Sequence, residues 1–461
     1  MSTHKEKPAV IFADLALLAD GWATHVRLGL ADGRIRSIVA GAAPQPGDIR
    51  VSALLPALSN VHSHSFQRAM AGMAEHRVSG TDSFWTWREV MYRFLGRLTP
   101  DQMEAIAALV FMEMQETGYA AVGEFHYVHH QPGGAPYADI AELSNRIFAA
   151  AALTGIGLTH LPVLYSCGGA GEQPLAPGQT RFGNEISRFA RLLEAARHGA
   201  RDLPDDTRIG VAPHSLRAIR PADLAQLVAL APGEPLHIHV AEQPKEVADI
   251  SAWLGARPVE WLLAHAPVGP DWCAIHATHM TPTEAAGLAA TGAVAGLCPI
   301  TEANLGDGPF NGPAWRAAGG AFGIGSDSNI RISLTEELRM LEYSQRLRDL
   351  ARNVMLTEEG SVGLSIYLGA ARGGARALGR DGGEIARDRL ADLVAINLSH
   401  PALCSLAPEQ ILDGLVFAAP DTVVTDLWSA GRHQVRGGRH VERDRILAGW
   451  RRAVKGLTDG I

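Results

Sequence analysis

Short apolar runs alternate with helix-like segments through most of the chain. The runs are predicted to be buried strands because they are brief and bounded by polar or turn residues, while the segments between them carry apolar residues at helical spacing. The predicted strands lie at 52–60, 120–125, 157–164, 208–212, 236–240, 273–277, 294–299 and 320–327, and the predicted helices include 102–117, 184–197, 221–229, 259–265 and 282–290. Eight strands that alternate with helices are typical of an α/β fold in which a parallel sheet closes into a (β/α)₈ barrel.

The two ends of the chain carry β patterns instead. The first fifty or so residues contain strand-like runs separated by turn signals such as Ala31-Asp-Gly, and short strands return after a helix at 363–378. We therefore predict a small, discontinuous β-sandwich domain built from both termini, around a central barrel. The predicted bounds are 1–55 and 385–461 for the β-sandwich, with a C-terminal helix at 443–454, and 56–384 for the barrel.

The composition is that of an ordinary globular protein, with 47% apolar and 20% charged residues among 461. A formal net charge of −8 disfavours a nucleic-acid-binding protein, which normally carries a basic excess. The four cysteines are scattered without a Cys-x-x-Cys pair, so neither a zinc–thiolate site nor a disulfide framework is predicted. The sequence shows no signal-peptide pattern and no stretch near the ~18 apolar residues of a membrane span. We expect a cytoplasmic protein with neither a membrane nor a nucleic-acid partner.

Candidate chemistry lies where the predicted strands end. Active sites of barrels lie at the carboxyl ends of the strands, so side chains there share one mouth even when they are far apart in sequence. Each polar residue at a strand end is ambiguous by itself, but six of them together could surround a single ion. They are His62 and His64 after strand one, His239 and Glu242 after strand five, His276 after strand six, and Asp327 after strand eight.

This set, in this order and strand placement, resembles the deaminase branch of the amidohydrolase superfamily. The resemblance implies one divalent metal per chain, bound by His62, His64, His239 and Asp327. Neutral imidazoles with one carboxylate suit Zn²⁺ best, with Fe²⁺ as the other option. Segment 208–214 has no lysine that could bridge two metals, which favours a single ion.

The same resemblance assigns catalytic roles to three residues. Asp327 would take a proton from the attacking water, Glu242 would protonate the leaving nitrogen, and His276 would polarise the substrate as an electrostatic donor. His279, close to His276, is expected to be structural.

Four segments, 65–75, 84–92, 123–130 and 212–218, resemble formimidoylglutamate deiminases. The implied reaction converts N-formimino-L-glutamate to N-formyl-L-glutamate and ammonia, and the implied assembly is a homodimer. Two fixed guanidiniums suit this dicarboxylate substrate, because each can bind a carboxylate through two parallel hydrogen bonds. The substrate-binding residues implied by the resemblance are Gln67, Arg88, Tyr127, His214 and Arg217.

Other interpretations stay open at this point. The same metal site would serve a nucleobase, nucleoside or triazine deaminase, which needs no paired arginines, and a non-enzymatic barrel would be expected to have lost metal ligands. Arg88 could stack on an aromatic ring, Arg217 could pair with Asp223, and Tyr127 could be core packing. His126, His129 and His130 are expected to be structural rather than a second metal site, since adjacent strand residues face opposite sides. Loops 131–136 and 168–182 are predicted lids.

Overall fold

The computed structural model describes residues 9–75, 84–356, 358–455 and 457, with the backbone alone for 84–86. These residues form two sheets and the helices that surround one of them. No helix in the described ranges is both long enough and apolar enough to cross a membrane.

The strands are mostly short, and those of the barrel are buried along nearly their whole length. In chain order they are β1 Ala9–Leu18, β2 Gly21–Ala31, β3 Arg34–Val39, β4 Ile49–Pro56, β5 Leu58–Ser63, β6 Tyr119–His126, β7 Gly157–Leu164, β8 Arg208–Ile209, β9 Ala212–Pro213, β10 Leu236–Val240, β11 Trp272–His276, β12 Val294–Leu297, β13 Ala321–Ile324, β14 Leu393–Ile396, β15 Val424–Ser429, β16 Arg432–Arg436 and β17 Arg439–His440.

Many of the helices start sharply after a loop, and six of those given below have proline as their first residue, where its missing N–H costs no hydrogen bond. The helices are α1 Phe84–Leu95, α2 Pro100–Thr117, α3 Glu142–Thr154, α4 Ile186–Gly199, α5 Pro221–Ala229, α6 Pro244–Leu254, α7 Pro258–His265, α8 Pro282–Ala290, α9 Pro299–Leu305, α10 Gly312–Ala317, α11 Leu334–Asp349, α12 Val362–Ala377, α13 Ile411–Phe417 and α14 Arg443–Val454.

The larger sheet forms the predicted (β/α)₈ barrel. Its strands run parallel in the order β10-β11-β12-β13-β5-β6-β7-β8, and β9 pairs with β7. Isolated bridges from Val211 to Leu236 and from Ser215 to His239 connect the fourth strand position to β10 and complete the ring. All carboxyl ends therefore meet at one mouth, as the sequence analysis assumed.

The second sheet unites the two ends of the chain, as predicted for the small β domain. Its order is β17-β16-β15-β14-β4-β1-β2-β3, with β1 and β4 parallel and β14 antiparallel to β4. The bounds between this domain and the barrel, after residues 55 and 384, stay a prediction.

The interpretation of residues 52–60 as one barrel strand is wrong. The segment divides between β4, which belongs to the terminal sheet, and β5, which belongs to the barrel, with Ala57 between them. Both parts are almost wholly buried, so the sequence shows one unbroken apolar run with no period that marks a boundary. As a result His62 lies within β5 rather than in the loop after it.

The fourth barrel strand is also less regular than predicted. The run 208–212 is interrupted between β8 and β9 at Gly210, whose N–H donates to the His160 carbonyl, 3.0 Å away. A side chain at Gly210 would overlap the carbonyl oxygen of Pro235, so only glycine lets the two backbones approach this closely.

Candidate active site

The six polar residues predicted at strand ends converge at the carboxyl end of the barrel, and each is at least nine-tenths buried. Their positions are His62 within β5, His239 within β10, His276 at the end of β11, and His64, Glu242 and Asp327 just beyond β5, β10 and β13. Segments far apart in sequence thus contribute to one cluster.

The turns at this mouth contain a backbone conformation that residues with a Cβ seldom adopt. Ala241, His276 and Asp327 have φ angles of 51°, 65° and 46°, all in the left-handed region. Surrounding contacts must hold such residues in place, and they are enriched at functional sites. For Asp327 the contacts are two backbone hydrogen bonds of 2.9 Å, from its N–H to the His62 carbonyl and from the His64 N–H to its own carbonyl.

Four potential ligand atoms point at a common centre. The Nε2 atoms of His62 and His239 are 2.9 Å apart, and Asp327 Oδ1 lies 3.4 Å from His62 Nε2 and 3.3 Å from His64 Nε2. One ligand atom from each of these four residues lies within 4.8 Å of the others. This spacing is compatible with one small cation among the four side chains.

The protonation states of the three histidine rings in the cluster also fit one bound cation. His64 Nδ1 donates to the Phe125 carbonyl and His239 Nδ1 donates to the His214 carbonyl, each with a nitrogen–oxygen distance of 3.0 Å. A neutral imidazole that donates through Nδ1 keeps a lone pair on Nε2, which is the arrangement of a metal-binding histidine. Burial lowers the pKa of His62 to about 3, so this ring is neutral as well. The donor set therefore fits a divalent ion.

Asp327 supplies the negative charge of the cluster. Burial alone would raise the pKa of its carboxyl group, but the hydrogen bond with the His62 ring and the positive charge on His276 hold it well below its usual range. Its second oxygen, Oδ2, lies 3.9 Å from His276 Nε2. The carboxylate thus lies between the ligand cluster and the residues predicted to act on the substrate.

Glu242 and His276 form the adjacent group. Glu242 Oε1 lies 3.9 Å from His276 Nε2, and Glu242 Oε2 lies 3.7 Å from Arg217 Nη2. Burial raises the pKa of Glu242 although the positive charges of His276 and Arg217 oppose the shift, so this carboxylate takes up a proton more readily than a free glutamate does. Burial opposes the charge on His276, but Glu242 and Glu302 outweigh it and raise the pKa of His276 to about 10.

Two buried carboxylates at this site were missed by the sequence analysis. Glu302 on α9 contacts His276 Nδ1 at 3.3 Å and accepts a hydrogen bond from the Cys298 N–H at 2.9 Å, which fixes the orientation of the ring. Glu124 on β6 accepts hydrogen bonds from Ser63 Oγ at 2.8 Å and Ser65 N–H at 2.9 Å, on either side of His64. Both act through other residues, and their sequence signal is a glutamate within or directly after an apolar run.

A cavity opens beside the cluster and is lined by all five residues predicted to bind substrate. It is also lined by residues that the sequence analysis did not single out for binding. The predicted residues are Gln67, Arg88, Tyr127, His214 and Arg217, and the additional ones include Trp87, Met91, Tyr92, Tyr165, Phe182, Leu305 and Ser328.

The two arginines line both this cavity and a second, outer one. Arg217 is 9% exposed and lies beside Glu242, while the guanidinium carbon of Arg88 lies 5.5 Å from the centre of the Tyr92 ring. The outer cavity also contains Lys245 and glycines 168, 169 and 171, part of one predicted lid. The guanidiniums thus lie where the two cavities meet.

Gln67 and Tyr127 contact each other in the lining of the first cavity. Gln67 Nε2 donates to the Tyr127 hydroxyl over 2.8 Å, and that hydroxyl lies 3.5 Å from Met91 Sδ. Tyr127 is 5% exposed and packs edge-on against Phe182, so it contributes both to core packing and to the lining of the cavity.

Three other histidines near the mouth of the barrel contact backbone carbonyls. His129 Nε2 lies 2.9 Å from the Val163 carbonyl, His130 Nε2 3.1 Å from the Gly183 carbonyl, and His279 Nε2 2.8 Å from the Asp307 carbonyl. Within the described ranges, the candidate metal-binding groups include none of these three residues. Their expected structural role agrees with these contacts.

Comparisons with known proteins identify the family. Residues 53–433 match the amidohydrolase family, and residues 8–52 match the N-terminal domain of formimidoylglutamate deiminase HutF. Over 454 residues the chain is 46% identical to formimidoylglutamate deiminase of Pseudomonas aeruginosa, covering 98% of this chain and 100% of that protein. It is 26% identical over 426 residues to 5-methylthioadenosine/S-adenosylhomocysteine deaminase of Natronomonas pharaonis, covering 90% and 88%.

Solved structures agree with this relationship. The crystal structure of an amidohydrolase from Brucella melitensis superimposes with a TM-score of 0.93 at 48% identity, over 97% of this chain and 99% of that one. The chain therefore belongs to the amidohydrolase family, and within it is similar to formimidoylglutamate deiminase over nearly its full length.

Proposed function

We propose that this protein hydrolyses N-formimino-L-glutamate to N-formyl-L-glutamate and ammonia. One observation carries the proposal: a single cavity contains two guanidiniums, Arg88 and Arg217, beside the proton-transfer residues Glu242, His276 and Asp327. Paired guanidiniums suit a substrate with two carboxylates, whereas a neutral aromatic base offers them no partner. The 46% identity to a formimidoylglutamate deiminase supports the same substrate.

The cavity suggests how the substrate is bound. Arg88 and Arg217 each bind one carboxylate, and Tyr127 and Gln67 line the wall beside them. His214 lies between this binding region and the ligand cluster, because its carbonyl accepts the hydrogen bond of His239 while its ring lines the cavity. This binding mode directs the formimino carbon towards the ligand cluster at the mouth of the barrel.

A divalent ion bound by His62, His64, His239 and Asp327 supplies Lewis-acid activation of the attacking water. Asp327 accepts a proton from that water while the water oxygen bonds to the formimino carbon. His276 donates a hydrogen bond to the tetrahedral centre, and Glu242 delivers protons to the nitrogen that leaves. Both protons of the water end on the departing nitrogen, which leaves as ammonia when its bond to carbon breaks.

The metal and the assembly are part of the same proposal. Three imidazoles and one carboxylate favour Zn²⁺, with Fe²⁺ as the alternative. We also propose a cytoplasmic homodimer, as expected for a soluble metabolic enzyme of this family.

A direct assay of ammonia release tests the proposed function. Zinc-loaded protein is offered N-formimino-L-glutamate, N-formimino-L-aspartate, guanine and cytosine in parallel. We expect kcat/KM for N-formimino-L-glutamate to exceed that for either base by at least ~100-fold, because a base brings no carboxylate for the guanidiniums of Arg88 and Arg217 to bind. Equal or faster turnover of guanine or cytosine would contradict the proposal.

A further inference from the structure

A buried glutamate lies directly behind the turn that presents Glu242. Glu246 is the third residue of α6 and is 1% exposed. Its Oε1 accepts a hydrogen bond from the Ala241 N–H at 3.3 Å, and its Oε2 accepts one from the Glu242 N–H at 3.1 Å. One carboxylate thus binds two consecutive backbone groups of the segment that follows the ligand His239.

These two hydrogen bonds hold a strained turn. Ala241 has a φ of 51°, a conformation that costs free energy for a residue with a Cβ and persists only where contacts enforce it. Loss of Glu246 removes two of the contacts that hold this turn and leaves the hydrogen bond of 3.0 Å from the His279 N–H to the Ala241 carbonyl, so the turn is less constrained. Because Glu242 is the next residue, any such relaxation moves its carboxyl group away from the cavity.

Glu246 also acts on the guanidinium beside Glu242. Burial opposes the charge on Arg217, and the carboxylates of Glu246 and Glu242 together raise the pKa of Arg217 above its ordinary value. Arg217 therefore lies in the field of one carboxylate inside the cavity and one behind the turn.

We propose that Glu246 is a positioning residue, which fixes the backbone of Glu242 through its two hydrogen bonds and so keeps the acid aimed into the cavity. The proposal rests on the proposed function for the role of Glu242 in proton transfer. The position of Glu242 matters for hydrolysis of any C–N bond at this site.

The chain offers a closely matched control. Glu284 is the third residue of α8, is 5% exposed, and accepts hydrogen bonds from the backbone N–H groups of Thr281 at 2.8 Å and Glu260 at 3.4 Å. It also pairs with a guanidinium, that of Arg257, at 2.8 Å. Glu284→Gln removes the same kind of helix-start carboxylate outside the catalytic cavity.

A double-mutant cycle between Glu246→Gln and Glu242→Gln separates positioning from general stability. In the wild-type background we expect Glu246→Gln to lower kcat by about 10–100-fold, the usual effect of losing a residue that orients a catalytic group. In the Glu242→Gln background the same change should alter kcat by less than ~3-fold, because the group it positions is already inactive. Glu284→Gln should leave kcat and KM within about twofold in either background.

If the fold-change in kcat of the double variant equals the product of the fold-changes of Glu246→Gln and Glu242→Gln, the proposal is overturned. The cycle uses the substrate of the ammonia assay that the wild-type enzyme hydrolyses fastest. If that substrate is not N-formimino-L-glutamate, the proposed function is contradicted, but the cycle still tests the role of Glu246. A crystal structure of zinc-loaded Glu246→Gln gives a readout independent of activity. We expect an altered Ala241–Glu242 turn and a displaced Glu242 side chain; an unchanged turn with an unchanged Glu242 side chain would also overturn the proposal.

Discussion

Replacement of Asp327 by Asn will lower kcat for N-formimino-L-glutamate by about 10²–10⁴-fold, the range expected for loss of a general base. The amide keeps the size of the carboxyl group, and its oxygen can still face the His62 and His64 nitrogens that lie 3.4 and 3.3 Å from Oδ1. It cannot accept the proton of the attacking water. Steady-state kinetics with saturating zinc measures the loss.

Metal analysis of the same preparation shows whether the loss is chemical. Asp327→Asn removes the negative charge from a four-residue cluster whose other members are neutral imidazoles, so its affinity for zinc will fall. Kinetics are therefore compared at equal occupancy, with zinc per chain measured directly. An Asn variant that carries one zinc and retains more than a tenth of wild-type kcat would show that Asp327 is not the base.

Replacement of Arg88 or Arg217 by Met will lower kcat/KM for N-formimino-L-glutamate by about 10–100-fold each, because each variant loses a charge-assisted pair worth ~1.5–3 kcal/mol. Met keeps the length of the apolar stem and removes only the guanidinium. Activity towards a substrate without carboxylates, such as formamidine, should change less. The ratio of kcat/KM for the two substrates is the quantity to measure.

Arg191→Met provides the matched control, since Arg191 is exposed on α4 and is not among the residues that line either cavity. We expect this variant to change neither the ratio of kcat/KM for the two substrates nor the turnover of N-formimino-L-glutamate by more than about twofold. Unchanged turnover of N-formimino-L-glutamate in both the Arg88 and Arg217 variants would instead favour a nucleobase, nucleoside or triazine deaminase.

The regular elements were predictable from sequence where local signals mark both ends. Helix α8 was predicted with the observed bounds, Pro282–Ala290; Thr281 caps its first turn and proline occupies its first position. Strand β10 was likewise predicted as Leu236–Val240, a short run in which apolar residues alternate with histidines, directly after the turn signals of segment 232–235. Helix α11 was not anticipated, because its sequence is rich in charged residues and its apolar period is weak.

Some residues of the site could be predicted from sequence and others could not. The metal-ligand candidates and Glu242 were found because each closes or follows a strand, and the barrel carries every strand end to one mouth. Glu124, Glu246 and Glu302 were missed because their importance depends on which backbone groups and rings they meet after folding. Fine spacing within an apolar run, as at Gly210 or between β4 and β5, also depends on close approach of distant segments.

Metal reconstitution tests the central claim most directly, namely that one ion held by the His62, His64, His239 and Asp327 side chains is required for hydrolysis. Protein stripped of metal is titrated with Zn²⁺ while ammonia release from N-formimino-L-glutamate and bound zinc are measured together. The structure predicts negligible activity at the start and a rise that saturates at one zinc per chain, with His239→Ala failing to recover. Full activity in the stripped protein, or an undiminished response in His239→Ala, would contradict it.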